Sequence, residues 1–348
     1  MTVTTTSRKG QRNAELMAID LDLAPRTPER AVPTPITITR DYSTPDRIFR
    51  RGVQASGVGV FLLLVAIGSF LAWSGWPAFQ KAGWSFFTHS GPVVPGAHPS
   101  FGVLASLTGT VEVAFVAMIF GAPIAICTAL FLSEYAPLRT RRSLIAMIDL
   151  AAAIPSIIFG LWAFFELQPN VVGFSTWLSR HLAFIPLFKV TSPPLNASIF
   201  IAGLVVGIMI VPIVASICRE VFSLAPAGER EAALALGASK WQMIRTVVLP
   251  FGRGGMIGAV MLGLGRALEE TIAVSIILAG SYKVTHQILQ HGGSTISQLI
   301  AINFGSGGTL GLHDLLLCGF VLFLMTLVIN LAASAIVNRS RSGAGVDL

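Results

Sequence analysis

Residues 197–218 read ASIFIAGLVVGIMIVPIVASIC, an apolar run without a charged side chain. An α-helix rises about 1.5 Å per residue, so roughly 20 residues cross a hydrocarbon core about 30 Å thick. This run is long enough to cross it. Because the run is continuously apolar rather than alternating, it predicts a transmembrane helix and not a strand of a membrane barrel.

Five other segments have a similar length and apolar character. Residues 53–73, 113–133 and 315–337 are free of charge. Two more contain charged residues: 143–165 includes Asp149, and 254–280 includes Arg266, Glu269 and Glu270. The sequence therefore predicts an all-α polytopic membrane protein with six transmembrane helices, which places both termini on one side.

The composition excludes an ordinary soluble protein. Of the 348 residues, 53% are hydrophobic and 12% are charged, and the mean hydropathy is +0.73. A soluble domain carries about 25% charged residues. Cys127, Cys218 and Cys318 each lie in an apolar run. We therefore expect buried thiols and neither a disulfide framework nor a metal site.

The basic residues predict which side of the membrane each loop faces. Nineteen of the 24 Lys and Arg lie in the N-terminal segment, the loop after the second span, the segment between spans four and five, and the C-terminal end. Positively charged loops stay in the cytoplasm. We expect a multi-pass protein of the cell (plasma or inner) membrane with cytoplasmic N- and C-termini, whose net charge of +7 reports topology and not nucleic-acid binding.

The remaining segments complete the predicted organisation. Residues 1–48 are polar and predict a disordered cytoplasmic tail, residues 49–338 the membrane domain, and residues 339–348 a second cytoplasmic tail. The outer loop 168–196 has apolar residues at helical spacing from Phe174 to Ile185. We expect an amphipathic helix lying on the outer interface there.

Residues 219–250, between spans four and five, predict two short helices at the cytoplasmic face. Good helix formers follow Pro226, Gly237 stops the first helix, Ser239 is a good N-cap for the second, and Pro250 should end it. The residues alone leave two readings equally open, a generic cytoplasmic hairpin and a knob that docks on a partner protein.

Motifs in this segment resemble a known family. Glu231-Ala232-Ala233, Gly237 and Leu249-Pro250 resemble the EAA loop of ABC importer permeases, with Val247 in place of the usual Ile. The resemblance extends to AAIPS at 152–156, FGLW at 159–162, GLGRAL at 263–268 and Glu270-Thr271, which are similar to the PstC family of phosphate-specific permeases. It covers roughly residues 49–338.

The resemblance implies a type I ABC importer permease (MetI-like) fold and a transport subunit, not an enzyme. The partners it implies are a homologous PstA-like permease subunit, two copies of a cytoplasmic ABC ATPase and an external phosphate-binding protein, with phosphate as substrate. ATP hydrolysis would then belong to another chain, and the sequence has no Gly-x-x-x-x-Gly-Lys-[Ser/Thr] motif. No cofactor is expected. Glu231, Ala232, Ala233, Gly237, Leu249 and Pro250 would couple this chain to the ATPase.

The candidate substrate-pathway residues lie in the fifth span. An Arg at bilayer depth costs about 2.5–3.5 kcal/mol on insertion scales, so Arg266 should have partners. Glu270 shares its helical face at i+4, and Glu269 stands where the family usually has Gly. Arg266 could offer a bidentate donor to a phosphate oxyanion while Glu270 holds it. A self-neutralising architectural ion pair is the alternative; Thr271 completes the group implied by the resemblance.

Three other acidic residues are expected to have lesser roles. Asp149 should lie near the cytoplasmic end of the third span and pair with the basic loop, whereas Glu112 and Glu166 should lie at the outer interface. Three further functions stay open: a permease for sulfate, molybdate or phosphonate, an ATP-independent secondary anion transporter, and, more weakly, an intramembrane enzyme.

Overall fold

The computed structural model describes residues 44–92, 101–190 and 195–341 of the chain. It divides into two units, Met1–Val60 and Phe61–Leu348. Most of the predicted tails, residues 1–43 and 342–348, lie outside the described residues. Within the predicted tails, residues 44–48 begin the first helix and residues 339–341 end the last one.

Twelve α-helices and a two-stranded sheet form the described part of the chain. In order they are α1 (Thr44–Ala82), β1 (Ser90–Gly91), β2 (Gly102–Val103), α2 (Leu104–Leu130), α3 (Leu138–Ala152), α4 (Ser156–Trp162), α5 (Gln168–His181), α6 (Ile199–Ser223), α7 (Ala227–Ala235), α8 (Lys240–Met243), α9 (Leu249–Leu268), α10 (Ile272–Ile277), α11 (Ile296–Asn303) and α12 (Gly308–Arg341). The strands pair antiparallel, Ser90 opposite Val103.

Six continuous helical segments are long and apolar enough to cross a membrane, as predicted. They are Thr44–Phe87, Leu104–Tyr135, Ser156–His181, Ile199–Ser223, Lys240–Leu268 and Gly308–Val337. Two of these segments, Ser156–His181 and Lys240–Leu268, each join two of the helices named above through one wider, π-helical turn. The six-span prediction is therefore confirmed for the described residues, but two of the spans differ from their predicted positions.

The third span begins at Ser156 and ends at His181 instead of covering residues 143–165. A proline disfavours helical backbone at the residue before it, and the helix before Pro155 ends at Ala152. The preceding residues form the separate, polar helix α3, which contains Asp149 and buries none of its residues. The predicted helix in the outer loop is present as Gln168–His181, but it is continuous with the helix that begins at Ser156 and does not stand apart from it.

The fifth span begins earlier and ends earlier than residues 254–280. Ser239 caps the start of α8 as predicted, with its Oγ accepting from Gln242 N at 3.3 Å and Gln242 Oε1 accepting from Ser239 N at 2.7 Å. The helix does not stop before Pro250, however. It continues into α9 through a π-helical turn, Ile244–Val248, and ends at Leu268.

The π-helical turns explain how prolines are accommodated inside or beside the spans. Phe131–Tyr135, Ala163–Leu167 and Ile244–Val248 each end two residues before a proline: Pro137, Pro169 and Pro250. Proline lacks the N–H that would bond the previous turn, and its ring crowds the carbonyl there. A wider turn relieves that crowding, so a helix can run up to or past a proline without a sharp end.

The helix α6 lies at the centre of the packed core. In its most apolar window, 72% of the residues are buried, against 39% for the second span and 6% for the first. Glycines allow α2 and α6 to approach closely: a Cβ on Gly203 would lie 2.5 Å from Val116 Cβ, and one on Gly121 would lie 2.8 Å from Gly207 O. Close approach through small residues is typical of helix packing within membranes.

Candidate functional site

The first candidate site is the break in the helix at the end of the fifth span. Helix α9 ends at Leu268, the next three residues are not helical, and the short helix α10 begins at Ile272. Arg266 lies in the last turn of α9, where a cation interacts favourably with the partial negative charge of the helix end. The chain therefore places a charged pair and an interrupted backbone at the same point.

Arg266 and Glu270 are brought together as predicted. Arg266 Nη1 lies 2.8 Å from Glu270 Oε2. The Glu270 side chain is 2% exposed, whereas the Arg266 side chain is 38% exposed. One edge of the guanidinium is thus held by a buried carboxylate, while accessible surface remains on the rest of a group that carries five N–H donors. That arrangement can bind an oxyanion through two parallel hydrogen bonds.

The buried carboxylate is itself fixed by neighbouring groups. Glu270 Oε1 accepts a hydrogen bond from Ala273 N at 3.1 Å, in the first turn of α10. Ser297 Oγ donates to the Glu270 backbone oxygen at 2.8 Å. The orientation of Glu270 is therefore set from two elements, which keeps Arg266 in one position relative to the break.

The other two predicted pathway residues, Glu269 and Thr271, take no part in this ion pair. Glu269 is exposed and lines a cavity of about 870 Å³ between α1 and α12, together with Phe323, Thr326 and Asn330. Among the described residues it makes no ion pair with Arg266. Thr271 Oγ1 donates to the Glu269 backbone oxygen at 3.1 Å and so stabilises the non-helical turn.

A polar layer behind the break was missed by sequence reasoning. Ser106 Oγ lies 3.0 Å from Ser294 Oγ, Ile296 N donates to Thr110 Oγ1 at 3.0 Å, and Gln298 Nε2 donates to Leu278 O at 3.1 Å. These groups are buried, and their hydrogen bonds hold α11 against α2 and the chain after α10. The sequence signal was the spacing Thr295-x-x-Gln298, which forms a capping box.

The structure places the three remaining acidic residues, Glu112, Glu166 and Asp149, within helical segments. Glu112 lies two turns inside the second span, with Oε1 3.2 Å from His286 Nδ1, and Glu166 lies within the third span. Asp149 lies on α3, where its Oδ1 accepts from Ser216 Oγ at 3.4 Å. Both spans extend further than their most apolar windows, so the two glutamates lie within the helices and not beyond their ends. Across the described residues, no group of His, Cys, Asp and Glu could hold a metal ion.

The second candidate site is the hairpin of α7 and α8. Gly237 adopts a φ of +85°, and Ala238 N bonds Ala233 O while Gly237 N bonds Leu234 O. This pair of bonds is the Schellman ending of a helix, which favours glycine at the left-handed position. The predicted glycine corner is therefore present, with Ser239 capping the next helix two residues later.

The predicted coupling residues divide between the surface and the core of this region. Glu231, Ala232 and Gly237 are exposed, and the hairpin also exposes Leu234, Leu236 and Trp241, with Leu236 89% exposed. Ala233 and Leu249 are partly buried against the core around Val248 and Phe222, whereas Pro250 is exposed at the start of α9. An apolar tip on a polar helix pair can seat in a groove of another protein.

Comparison with known proteins assigns the class. The model of the family described as binding-protein-dependent transport system inner membrane component matches residues 121–342. The chain belongs to this family and is a multi-pass membrane component of a transport system, not an enzyme.

Individual relatives have names that are more specific than the family description. The chain is 39% identical to the phosphate transport system permease protein PstC 2 of Mycobacterium tuberculosis over 304 residues, which cover 86% of this chain and 93% of that relative. It is 40% identical to the phosphate transport system permease protein PstC of Mycobacterium leprae over 283 residues, which cover 80% and 85%.

A solved structure supports the fold. The crystal structure of a bacterial ABC transporter involved in the import of the acidic polysaccharide alginate matches with a TM-score of 0.50 at 17% identity, covering 84% of this chain and 98% of that one. The chain therefore has the fold of a membrane subunit of an ABC importer.

Proposed function

We propose that this chain is the PstC-like permease subunit of an ATP-driven importer of inorganic phosphate. The observation that carries the proposal is the 39% identity, over 86% of the chain, to a phosphate transport permease. We propose that residues 49–338 form the permease domain, within which residues 219–250 form the coupling loop. Residues 1–48 and 339–348 would form cytoplasmic tails.

The break at the end of the fifth span is proposed as part of the substrate pathway. Arg266 is partly exposed while its carboxylate partner is buried, which leaves donors free to meet a ligand. A tetrahedral oxyanion offers pairs of oxygens that suit the guanidinium fork. Arg266 would contact phosphate, Glu270 would hold Arg266, and Thr271 would maintain the turn; Glu269 would line a neighbouring part of the pathway.

The hairpin of α7 and α8 is proposed as the coupling element. Its exposed apolar tip would seat in a groove of a cytoplasmic ABC ATPase subunit, two copies of which would serve this chain and a PstA-like partner permease. An extracytoplasmic phosphate-binding protein would deliver the substrate. Closure of the ATPase pair would then move the hairpin and the spans attached to it as rigid bodies.

The basic residues support the proposed orientation. Both termini and the hairpin would face the cytoplasm, because the segments that contain them carry most of the Lys and Arg. This orientation places the hairpin on the side where ATP is available. It also places the loop between the first two spans, which contains the β1–β2 sheet, on the outside.

Competition among oxyanions tests the proposed substrate. The complete complex would be produced in cells that lack their own high-affinity phosphate uptake, and labelled phosphate uptake would be measured with excess unlabelled phosphate, sulfate, molybdate or a phosphonate. We expect strong competition by phosphate alone. Equal competition by sulfate or molybdate would contradict phosphate specificity, and uptake that persists without the ATPase subunit would favour a secondary transporter.

A further inference from the structure

The α7–α8 hairpin is clamped to the end of the second span by a largely buried ion pair. Arg230 Nη1, on α7, lies 3.2 Å from Glu134 Oε1, in the π-helical turn Phe131–Tyr135 that ends this span. The Glu134 side chain is 5% exposed and the Arg230 side chain 22%. Two elements 96 positions apart in sequence are thus joined at a point that solvent screens poorly.

The same arginine also reaches the fourth span. Arg230 Nη2 donates a hydrogen bond to the backbone oxygen of Phe222, in the last turn of α6. Carbonyl groups in the last turn of a helix lack partners within it, so a cationic donor there is favourable. One side chain of the hairpin therefore contacts both of the most buried spans of the chain.

A second contact joins the same turn to the other helix of the hairpin. Lys240 Nζ, at the start of α8, lies 4.9 Å from the centre of the Tyr135 ring, within the range of a cation–π interaction. The turn thus touches α7 through Glu134 and α8 through Tyr135. The hairpin is consequently held against the end of the second span by contacts from both of its helices.

The ion pair is also incompletely satisfied in this conformation. Arg230 Nε and Glu134 Oε1 are buried and make no well-formed hydrogen bond with any described residue, although the two charged groups are close. A fully paired network would hold the hairpin more rigidly than this contact does.

We propose that the Arg230–Glu134 pair is the positioning link that transmits movement of the hairpin to spans two and four. The proposal rests on the proposed function, because it assumes that an ATPase moves the hairpin. Neither residue would touch phosphate or ATP. Without the pair, the ATPase would still bind and hydrolyse ATP, but the hairpin would move without carrying spans two and four with it.

The test measures ATP hydrolysis and uptake together in proteoliposomes that contain the complete complex. The variants are Glu134→Gln, Arg230→Gln and Arg230→Lys, with Glu220→Gln as the control because its exposed carboxylate makes a longer, 3.7 Å pair with Arg219. We expect Glu134→Gln and Arg230→Gln to lower phosphate uptake per ATP by about tenfold, within the range produced by mutations along a coupling path. Arg230→Lys should recover part of the ratio, and Glu220→Gln should match the wild type.

The double variant Glu134→Gln with Arg230→Gln covers the case in which a single variant fails to assemble. It leaves no unpaired buried charge, so we expect assembly and ATP hydrolysis with the same loss of coupling as either single variant. Normal uptake per ATP in this variant would overturn the proposal. Failure of the double variant to assemble would also overturn it, because the pair would then serve folding alone.

Failure of the substrate assignment is distinguishable from failure of the link. If the wild-type complex imports sulfate or molybdate instead of phosphate, the proposed substrate is wrong, and the ratio of uptake to ATP hydrolysis is measured with that oxyanion. A normal ratio in Glu134→Gln and Arg230→Gln would then still refute the link. An impaired ratio would support it independently of the substrate.

Discussion

Replacement of Arg266 by Gln should affect both the stability of the protein and transport. The change leaves the carboxylate of Glu270, 2% exposed, without its counter-ion at 2.8 Å. Removing one partner of a buried ion pair costs about 3–5 kcal/mol, and the partial exposure of Arg266 reduces this to about 2–3 kcal/mol. A loss of that size is a large fraction of a typical folding free energy of about 5–15 kcal/mol.

A second substitution separates stability from transport. Adding Glu270→Gln to the Arg266→Gln variant removes the unpaired charge, while the oxygen of the new side-chain amide could still accept a hydrogen bond from Ala273 N. We expect the abundance of the assembled complex to recover, because no buried ion remains. Phosphate uptake per assembled complex should remain lost, because the pathway no longer offers a cationic fork. Arg266→Lys keeps the charge but not the fork and should give intermediate uptake.

The assay is initial phosphate uptake divided by the amount of complex recovered from the membrane. The three variants and the wild type are compared in the same host. Recovery of both abundance and uptake in the double variant would refute a substrate role for Arg266 and establish a purely architectural ion pair. Equal uptake by Arg266→Lys and the wild type would show that charge alone is sufficient.

Other residues make sharper tests of single features. Gly237→Pro should abolish ATP-driven uptake because proline cannot adopt the left-handed φ of +85° at the corner of the hairpin. Ala233→Asp should abolish it because the hairpin would no longer fit its partner. Both variants should remain in the membrane, and full uptake at normal abundance would contradict this prediction. Gly109→Ala should destabilise the protein by about 1–3 kcal/mol, because the new Cβ would lie 2.1 Å from Ser294 O. The control is Gly173→Ala, whose Cβ would meet open space. Equal thermal stability of the two variants would contradict this prediction. A cysteine introduced in place of Ser90 should react with an impermeant external thiol reagent in intact cells. A reporter fused after Leu348 should be active in the cytoplasm. Protection of the cysteine in intact cells, with labelling once the membrane is opened, would contradict the proposed orientation.

The number of spans could be predicted from the sequence because it depends on total apolar length. Their ends could not, because they depend on local backbone rules. Pro155 starts a span, whereas Pro250 lies inside a helix that passes it through a π-helical turn. Both are prolines in apolar surroundings, so hydropathy alone cannot distinguish a helix start from a tolerated proline.

The candidate sites show the same division between local and tertiary information. The Arg266–Glu270 pair could be predicted from the spacing of four residues. The roles of Gly237 as a helix stop and of Ser239 as a helix cap could be predicted from turn and cap chemistry. The Ser297 contact to Glu270 joins elements 27 residues apart, and the Arg230–Glu134 pair joins elements much further apart. Such contacts follow from the packing of the helices and leave no periodic signal in the sequence.

Phosphate accumulation in proteoliposomes tests the central claim most directly. The complete complex, with its ATPase subunits and the external binding protein, would be reconstituted with and without ATP on the side of the ATPase. We predict accumulation of labelled phosphate against its gradient with ATP and none without ATP or without the ATPase. Equal accumulation without ATP, or ATP-driven accumulation of sulfate in preference to phosphate, would contradict the account.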